Sequence, residues 1–207
     1  MVVVIAGTLF VGLAAWIVAG FAVKRGIQEP PFEVLSRDGD IEVRRYSAGL
    51  VAATVVEGSR AIALNEAFRR LAGYIFGDNR SQAKIAMTAP VAAQRSEKIA
   101  MTAPVSATPA GDGRYRVTFS MPAEYTLETL PAPNDARVTL EVVPAYEAAA
   151  LRFTGTVDDA KVEARTRELV AWGQAHGFTR AGAATLAQYD PPFAFPWLRR
   201  NEILLAR

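Results

Sequence analysis

Apolar and polar residues alternate in several short runs of this chain, and in two longer stretches the apolar ones recur at helical spacing. Arg114 to Met121 alternates without error: Tyr115, Val117, Phe119 and Met121 share one face, and Arg114, Arg116, Thr118 and Ser120 the other. That period of two predicts a half-buried strand. Val138, Leu140 and Val142 repeat the pattern, and Leu151-Arg152-Phe153 continues it. Leu50 to Val56 is an apolar, β-branched run suited to a buried strand, and Glu202 to Leu205 predicts a last one. Phe32-Glu33-Val34 and Ile41-Glu42-Val43 flank Asp38-Gly39, a hairpin signal because glycine tolerates the positive φ of a tight turn.

The helical period governs Leu64, Phe68, Leu71 and Ile75, with Arg69 and Arg70 turned outward, Ser59 as N-cap and Gly77 as terminator. A second helix opens at Thr156-x-x-Asp159, carries Val162, Leu169 and Trp172 on one side, and stops at Gly177. The order is strands, helix, strands, then the same again. It predicts an α+β domain of two similar halves around one core, with Leu130 to Asp135 lying in the sheet of the second half.

Ahead of this domain, Val2 to Val23 is uncharged and almost wholly apolar. Its 22 residues reach about 33 Å as a helix, enough to cross a bilayer. The alternative is a cleaved signal peptide, with Gly20-Phe21-Ala22 supplying small residues, but the basic segment that usually precedes the apolar run is missing. The sequence therefore divides into a transmembrane anchor (1–25), a linker (26–31) stiffened by Pro30-Pro31, and a domain (32–207).

Charge sharpens that division. The chain has 23 Lys+Arg against 21 Asp+Glu, and Lys24 and Arg25 account for the surplus. They follow the apolar segment and favour a cytoplasmic domain by the positive-inside rule. The domain itself is balanced, so it lacks the basic surface that nucleic-acid binding needs. Zero cysteines and one histidine, His176, exclude disulfides, thiolate metal sites and any site of two imidazoles. Neither a G-x-S-x-G nucleophile nor an H-E-x-x-H metal pair occurs. A non-catalytic protein is expected.

Two motifs stand out. The octapeptide KIAMTAPV occurs at Lys84 to Val91 and again at Lys98 to Val105, and two like strands joined by Ala92 to Glu97 would form a hairpin. Met87 and Met101 could serve as thioether ligands, but filling gaps in the core is the favoured role. Near the C-terminus, Tyr189-Asp190-Pro191-Pro192-Phe193 precedes Leu198-Arg199-Arg200-Asn201-Glu202-Ile203. Glu202 could act as an acid or base with an arginine as anion clamp; a network tying the last strand to a loop is favoured.

Taken together, KIAMTAPV after a helix ending in Tyr74-Ile75-Phe76-Gly77-Asp78-Asn79, the Tyr189-Asp190-Pro191-Pro192 and Arg199-Arg200-Asn201-Glu202 strings, and the opening FEVLSRDGDIEVRRY strongly resemble the SOUL haem-binding family. The resemblance covers residues 32 to 207, and the doubled MTAPV string is similar to its bacterial branch. It implies a distorted β-barrel with two helices, and binding of haem b or another tetrapyrrole without an established reaction. It also implies a haem face on the first helix, which here carries Asn65, Phe68 and Ala72; positions basic in some members fall on Asn65 and Gly73. Arg69, Arg70, Arg199 or Arg200 would have to pair with the propionates instead. His176, at the end of the second helix, is assigned to capping free carbonyls rather than to iron. The expected function is a membrane-anchored tetrapyrrole carrier or buffer. The alternative is an interaction subunit without a ligand that docks on a larger membrane protein complex, for which Phe193, Phe195 and Trp197 are candidates; they would equally suit a lid over a ligand cleft.

Overall fold

The computed structural model describes residues 27–82, 96–178, 182–191 and 194–207. The segment Val2 to Val23, for which an anchor is expected, lies outside them, as do the first octapeptide and Phe193. Among the described residues no helix is long and apolar enough to cross a membrane.

The predicted hairpin is β1 (Phe32–Asp38) and β2 (Ile41–Tyr46), turning at Gly39 with φ 56°. The chain continues through β3 (Gly49–Glu57) and α1 (Arg60–Phe76), then the short β4 (Asn79–Arg80). Next come β5 (Val105–Pro109), β6 (Arg114–Ser120), β7 (Ala132–Pro133) and β8 (Thr139–Val143). The remainder is β9 (Tyr146–Thr154), α2 (Asp159–Ala175), β10 (Thr185–Gln188) and β11 (Arg200–Ala206).

Nine strands form one antiparallel sheet in the order β1-β2-β9-β11-β10-β5-β6-β3-β8. Read outward from the β10–β5 pair, each side repeats one plan. The strand entering a helix (β3 or β9) sits third from the seam, and the next two strands of this sheet after that helix (β5 and β6, or β10 and β11) lie nearest it. The two similar halves are thus visible in strand order. Each helix covers its own half, α1 on β3 and β6 and α2 on β9 and β11.

In place of the one core expected, a separate apolar cluster lies under each helix. Ala63, Ala67, Leu71, Tyr74 and Ile75 of α1 pack on Ala52, Val117 and Phe119, while Leu169 of α2 packs on Leu151, Ile203 and Leu205. Burying a leucine or phenylalanine side chain contributes about 1.5–3 kcal/mol, so these clusters are the main adhesive of the fold.

Several expectations need correction. The second octapeptide joins a strand only at Val105; its backbone bonds run instead from Ile99 to Ile75 and from Ala103 to Gln28. Pro104, without an N–H, cannot extend a ladder back through the repeat. Ala132–Pro133 pairs with Asn79–Arg80 beside the end of α1, so that segment belongs to the first half rather than the second. The N-cap of α2 is Asp158, whose carboxylate accepts from the Lys161 amide at 2.8 Å, rather than Thr156. Arg70 does not point outward: its guanidinium donates to Thr54 and Glu66, both at 2.5 Å.

Candidate functional site

The polar face of β6 opens on a cavity. Arg116, Thr118 and Ser120 line a cleft of about 460 Å³, together with Ser106 and Thr108 of β5 and Leu204 and Ala206 of β11. The alternation is strict, because Val117, Phe119 and Leu205 point to the other face of the sheet and pack under the helices. Tyr46 on β2 and Val143 on β8 line the same cleft, although six strands separate β2 from β8 in the order. The sheet therefore curls into a half-barrel around it. Residues 28–31 close one side as a strap: Pro31 accepts from the Ser47 amide, and Gln28 accepts from the amides of Ala103 and, through its side chain, Ala123.

Beneath the strap is a buried charge network. Glu202, with 0% exposure, accepts from Arg44 at 2.7 and 3.1 Å, from the Tyr189 hydroxyl at 2.8 Å and from Arg200 at 3.0 Å. Arg200 reaches on to Glu29 in the strap at 3.0 Å and stacks over Tyr189. Burial raises the Glu202 carboxyl, but the hydrogen bonds and charges of Arg44 and Arg200 outweigh it and hold the group below its ordinary value. An ionised carboxylate whose oxygens are all engaged is a structural tie and is not poised to exchange a proton. The phenols around it shift the other way. Burial raises Tyr46 and Tyr189, and burial with Tyr46 pushes Tyr146 up to about 12.

The residues singled out on α1 lie on the opposite side of the sheet from the cleft. Asn65 and Ala72 are two helical turns apart on its outer surface, with Ile62, Phe68, Arg69 and Phe76 on the same stripe. Ile62, Phe68 and Phe76 are 59%, 40% and 55% exposed, an unusual apolar density for a solvent face. Periodicity alone put Phe68 in the core; here its ring touches Phe119 by an edge and leaves the rest open. Asn65 spends its amide on the Ala61 carbonyl.

Of the arginines considered for propionates, three are committed elsewhere. Arg70 is tied to Glu66 and Thr54, Arg200 to Glu202 and Glu29, and Arg199 donates to the Ala194 carbonyl. Arg69 is exposed and makes no ion pair among the described residues. Asn65, Phe68, Ala72 and Arg69 can therefore meet a flat apolar group with one carboxylate at its edge.

His176 belongs to the other half. Its Nδ1 donates to the Trp172 carbonyl at 2.7 Å and its ring stacks on Trp172 at 4.0 Å, as a residue closing α2 should. Met101 is 46% exposed, so it does not fill the core as expected, and it does not line the cleft; Met87 lies outside the described residues. Trp197 is 64% exposed on the turn Pro196–Leu198, packs edge-on against Phe195 and does not line the cleft. No group of three or more His, Cys, Asp or Glu suited to a metal ion occurs among the described residues. The cleft itself was hidden in sequence, because its wall reads as the solvent side of alternating strands.

Comparison with known proteins follows the same outline. Residues 27–206 match the family described as SOUL heme-binding protein. Heme-binding protein 1 of Mus musculus is 28% identical over 187 residues, covering 86% of this chain and 91% of the relative. Among solved structures, the EcmrR C-terminal domain superposes with a TM-score of 0.57 at 9% identity, over 85% of this chain and 98% of that one. A hydrolase from Listeria innocua gives 0.51 at 13% identity, over 84% and 94%. At such identities these two likenesses concern the fold alone.

Proposed function

Because this chain belongs to the SOUL heme-binding protein family, we propose that it binds haem b or another tetrapyrrole as a carrier or buffer and not as a catalyst. The observation that carries this reading is the exposed stripe on α1. While α2 exposes no large apolar side chain, α1 leaves Ile62, Phe68 and Phe76 in solvent, with the guanidinium of Arg69, which makes no ion pair among the described residues, beside them. A porphyrin offers matching chemistry: a flat apolar face for Phe68 and Ala72, and a propionate for Arg69. No imidazole, thiolate or thioether stands on the stripe, so the protein would hold the ring by its face and edge and leave the iron without a side-chain ligand. A bound haem would supply its own redox and ligand-binding chemistry.

The same proposal places the domain at a membrane through Val2 to Val23, on the cytoplasmic side that Lys24 and Arg25 favour. Haemin titration of the purified chain, followed by the Soret band, tests the binding. A saturable shift at micromolar haemin that Phe68→Glu abolishes supports it, and a shift that Phe68→Glu leaves intact places the ligand elsewhere.

A second reading, docking on a larger membrane protein complex, draws support from Trp197 and Leu198, both exposed on one turn. Co-migration of the chain with a partner in mild detergent, lost on Trp197→Ala, would favour it.

A further inference from the structure

The cleft on the far side of the sheet is not used by the reading above, yet it has the character of a built site. Its volume of about 460 Å³ falls in the range of small-molecule pockets. One half of the domain lines it with hydroxyls: Ser106, Thr118 and Ser120 project into it from adjacent strands, and Ser106 faces Thr118 directly across the β5–β6 ladder. The other half lines it with Tyr46, Tyr146, Leu204 and Ala206, the two phenol rings stacked 5.0 Å apart at 12°. The side-chain hydroxyls of Ser106, Thr118, Ser120 and Tyr146 have no hydrogen-bond partner among the described residues. Four open hydroxyls in a mostly apolar concavity are recognition elements, since each gains from a ligand that satisfies it.

Charge narrows the class of ligand. The lining has two charged side chains among the described residues, and both are paired: Glu29 with Arg200 at 3.0 Å and Arg116 with Glu141 at 2.6 Å. Among the described residues of the lining, no unpaired cation is left to meet a carboxylate and no unpaired anion to meet an ammonium group. A charged ligand would lose its hydration without recovering it. A tetrapyrrole with two propionates is therefore suited to the Arg69 face of α1 and not to the cleft.

We propose that the cleft is a second ligand site, taking an uncharged, largely apolar small molecule whose oxygen or nitrogen atoms bond to Ser106, Thr118, Ser120 and Tyr146. The strap of residues 28–31 forms part of its wall, so the Arg200–Glu29 pair holds the site closed on that side.

Photolabelling of the purified full chain with benzophenone, a neutral ketone that inserts into nearby C–H bonds, tests this independently of haem. Adducts are mapped by peptide mass spectrometry. Labelling of the cleft-lining segment around Met121 should saturate, and Ser106→Phe and Thr118→Phe, each filling the cleft from a different strand, should raise the half-saturating concentration at least about tenfold. Tyr146→Phe, which removes only the open hydroxyl, should raise it roughly three- to tenfold. Phe68→Glu and added haemin should leave it unchanged. Labelling that does not saturate, that survives both filling variants, or that haemin displaces overturns the proposal. A failed haemin titration with intact photolabelling would remove the tetrapyrrole reading and leave this one standing.

Discussion

Arg44 and Glu202 meet through two hydrogen bonds, 2.7 and 3.1 Å long, although 158 residues separate them in the chain. Arg44 is 3% exposed and Glu202 not at all, so each charge depends on protein partners for the solvation that water would have given: Arg44 on Glu202 and Glu42, Glu202 on Arg44, Arg200 and Tyr189.

The first prediction follows from that dependence. Arg44→Met or Glu202→Gln should each destabilise the domain by up to about 3–5 kcal/mol, because each removes the closest partner of a buried charge and leaves Glu202 only Arg200 and Tyr189, or Arg44 only the partly exposed Glu42. The double substitution should cost less than the sum of the two. Urea denaturation of the four proteins forms a double-mutant cycle, and strict additivity would show that the pair is not coupled.

Acid should reveal the same carboxylate. Glu202 is held below the ordinary value of 4.5 in the folded state, so its contribution is complete above that pH and disappears as pH falls through the lowered value. Thermal melts should hold steady through neutrality and drop in acid, less steeply for Glu202→Gln. An identical acid limb in that variant would assign the loss to other groups.

Alkali has the opposite sign. Burial with Glu97 holds Tyr125 up at about 12, and burial with Tyr46 does the same for Tyr146, against an ordinary 10.0. A raised folded value means stability is complete below about pH 10 and declines as pH rises toward 12. Ultraviolet titration should show these phenols ionising late and together with unfolding.

On α1, Arg69→Ala should weaken haemin binding only roughly two- to fivefold, the worth of an exposed ion pair. His176→Ala should leave the Soret band where it is, because its ring is engaged with Trp172. A moved Soret band in that variant would make His176 a ligand after all.

At the start of α2, Asp158→Ala should cost about 0.5–2 kcal/mol and Thr156→Ala less than about 0.5. The reverse order would restore Thr156 as the cap.

These contrasts show what the sequence disclosed. Strong alternation located β6 and both partners of the first hairpin, and helical spacing with Ser59 and Gly77 located α1 to within a residue. β5 and β10 escaped because each is short and mixed, and their strand character comes from pairing with each other at the seam. Phe68 showed the limit of periodicity: it shares the spacing of Leu71 and Ile75, yet stands at the edge of the buried arc where only contact with Phe119 decides its exposure. The cleft could not be read at all. Thr118 and Ser120 look like solvent-facing residues until the sheet curls, and curling is a property of nine strands together.

The mirrored strand order has one further result. The seam between β5 and β10 acts as an approximate dyad, and the cleft lies across it. Two identical halves would give a guest two equivalent poses related by a half-turn, with nothing to choose between them. Divergence of the halves, with Ser106, Thr118 and Ser120 on one and the stacked Tyr46 and Tyr146 on the other, lifts that degeneracy and gives the cavity a head and a tail.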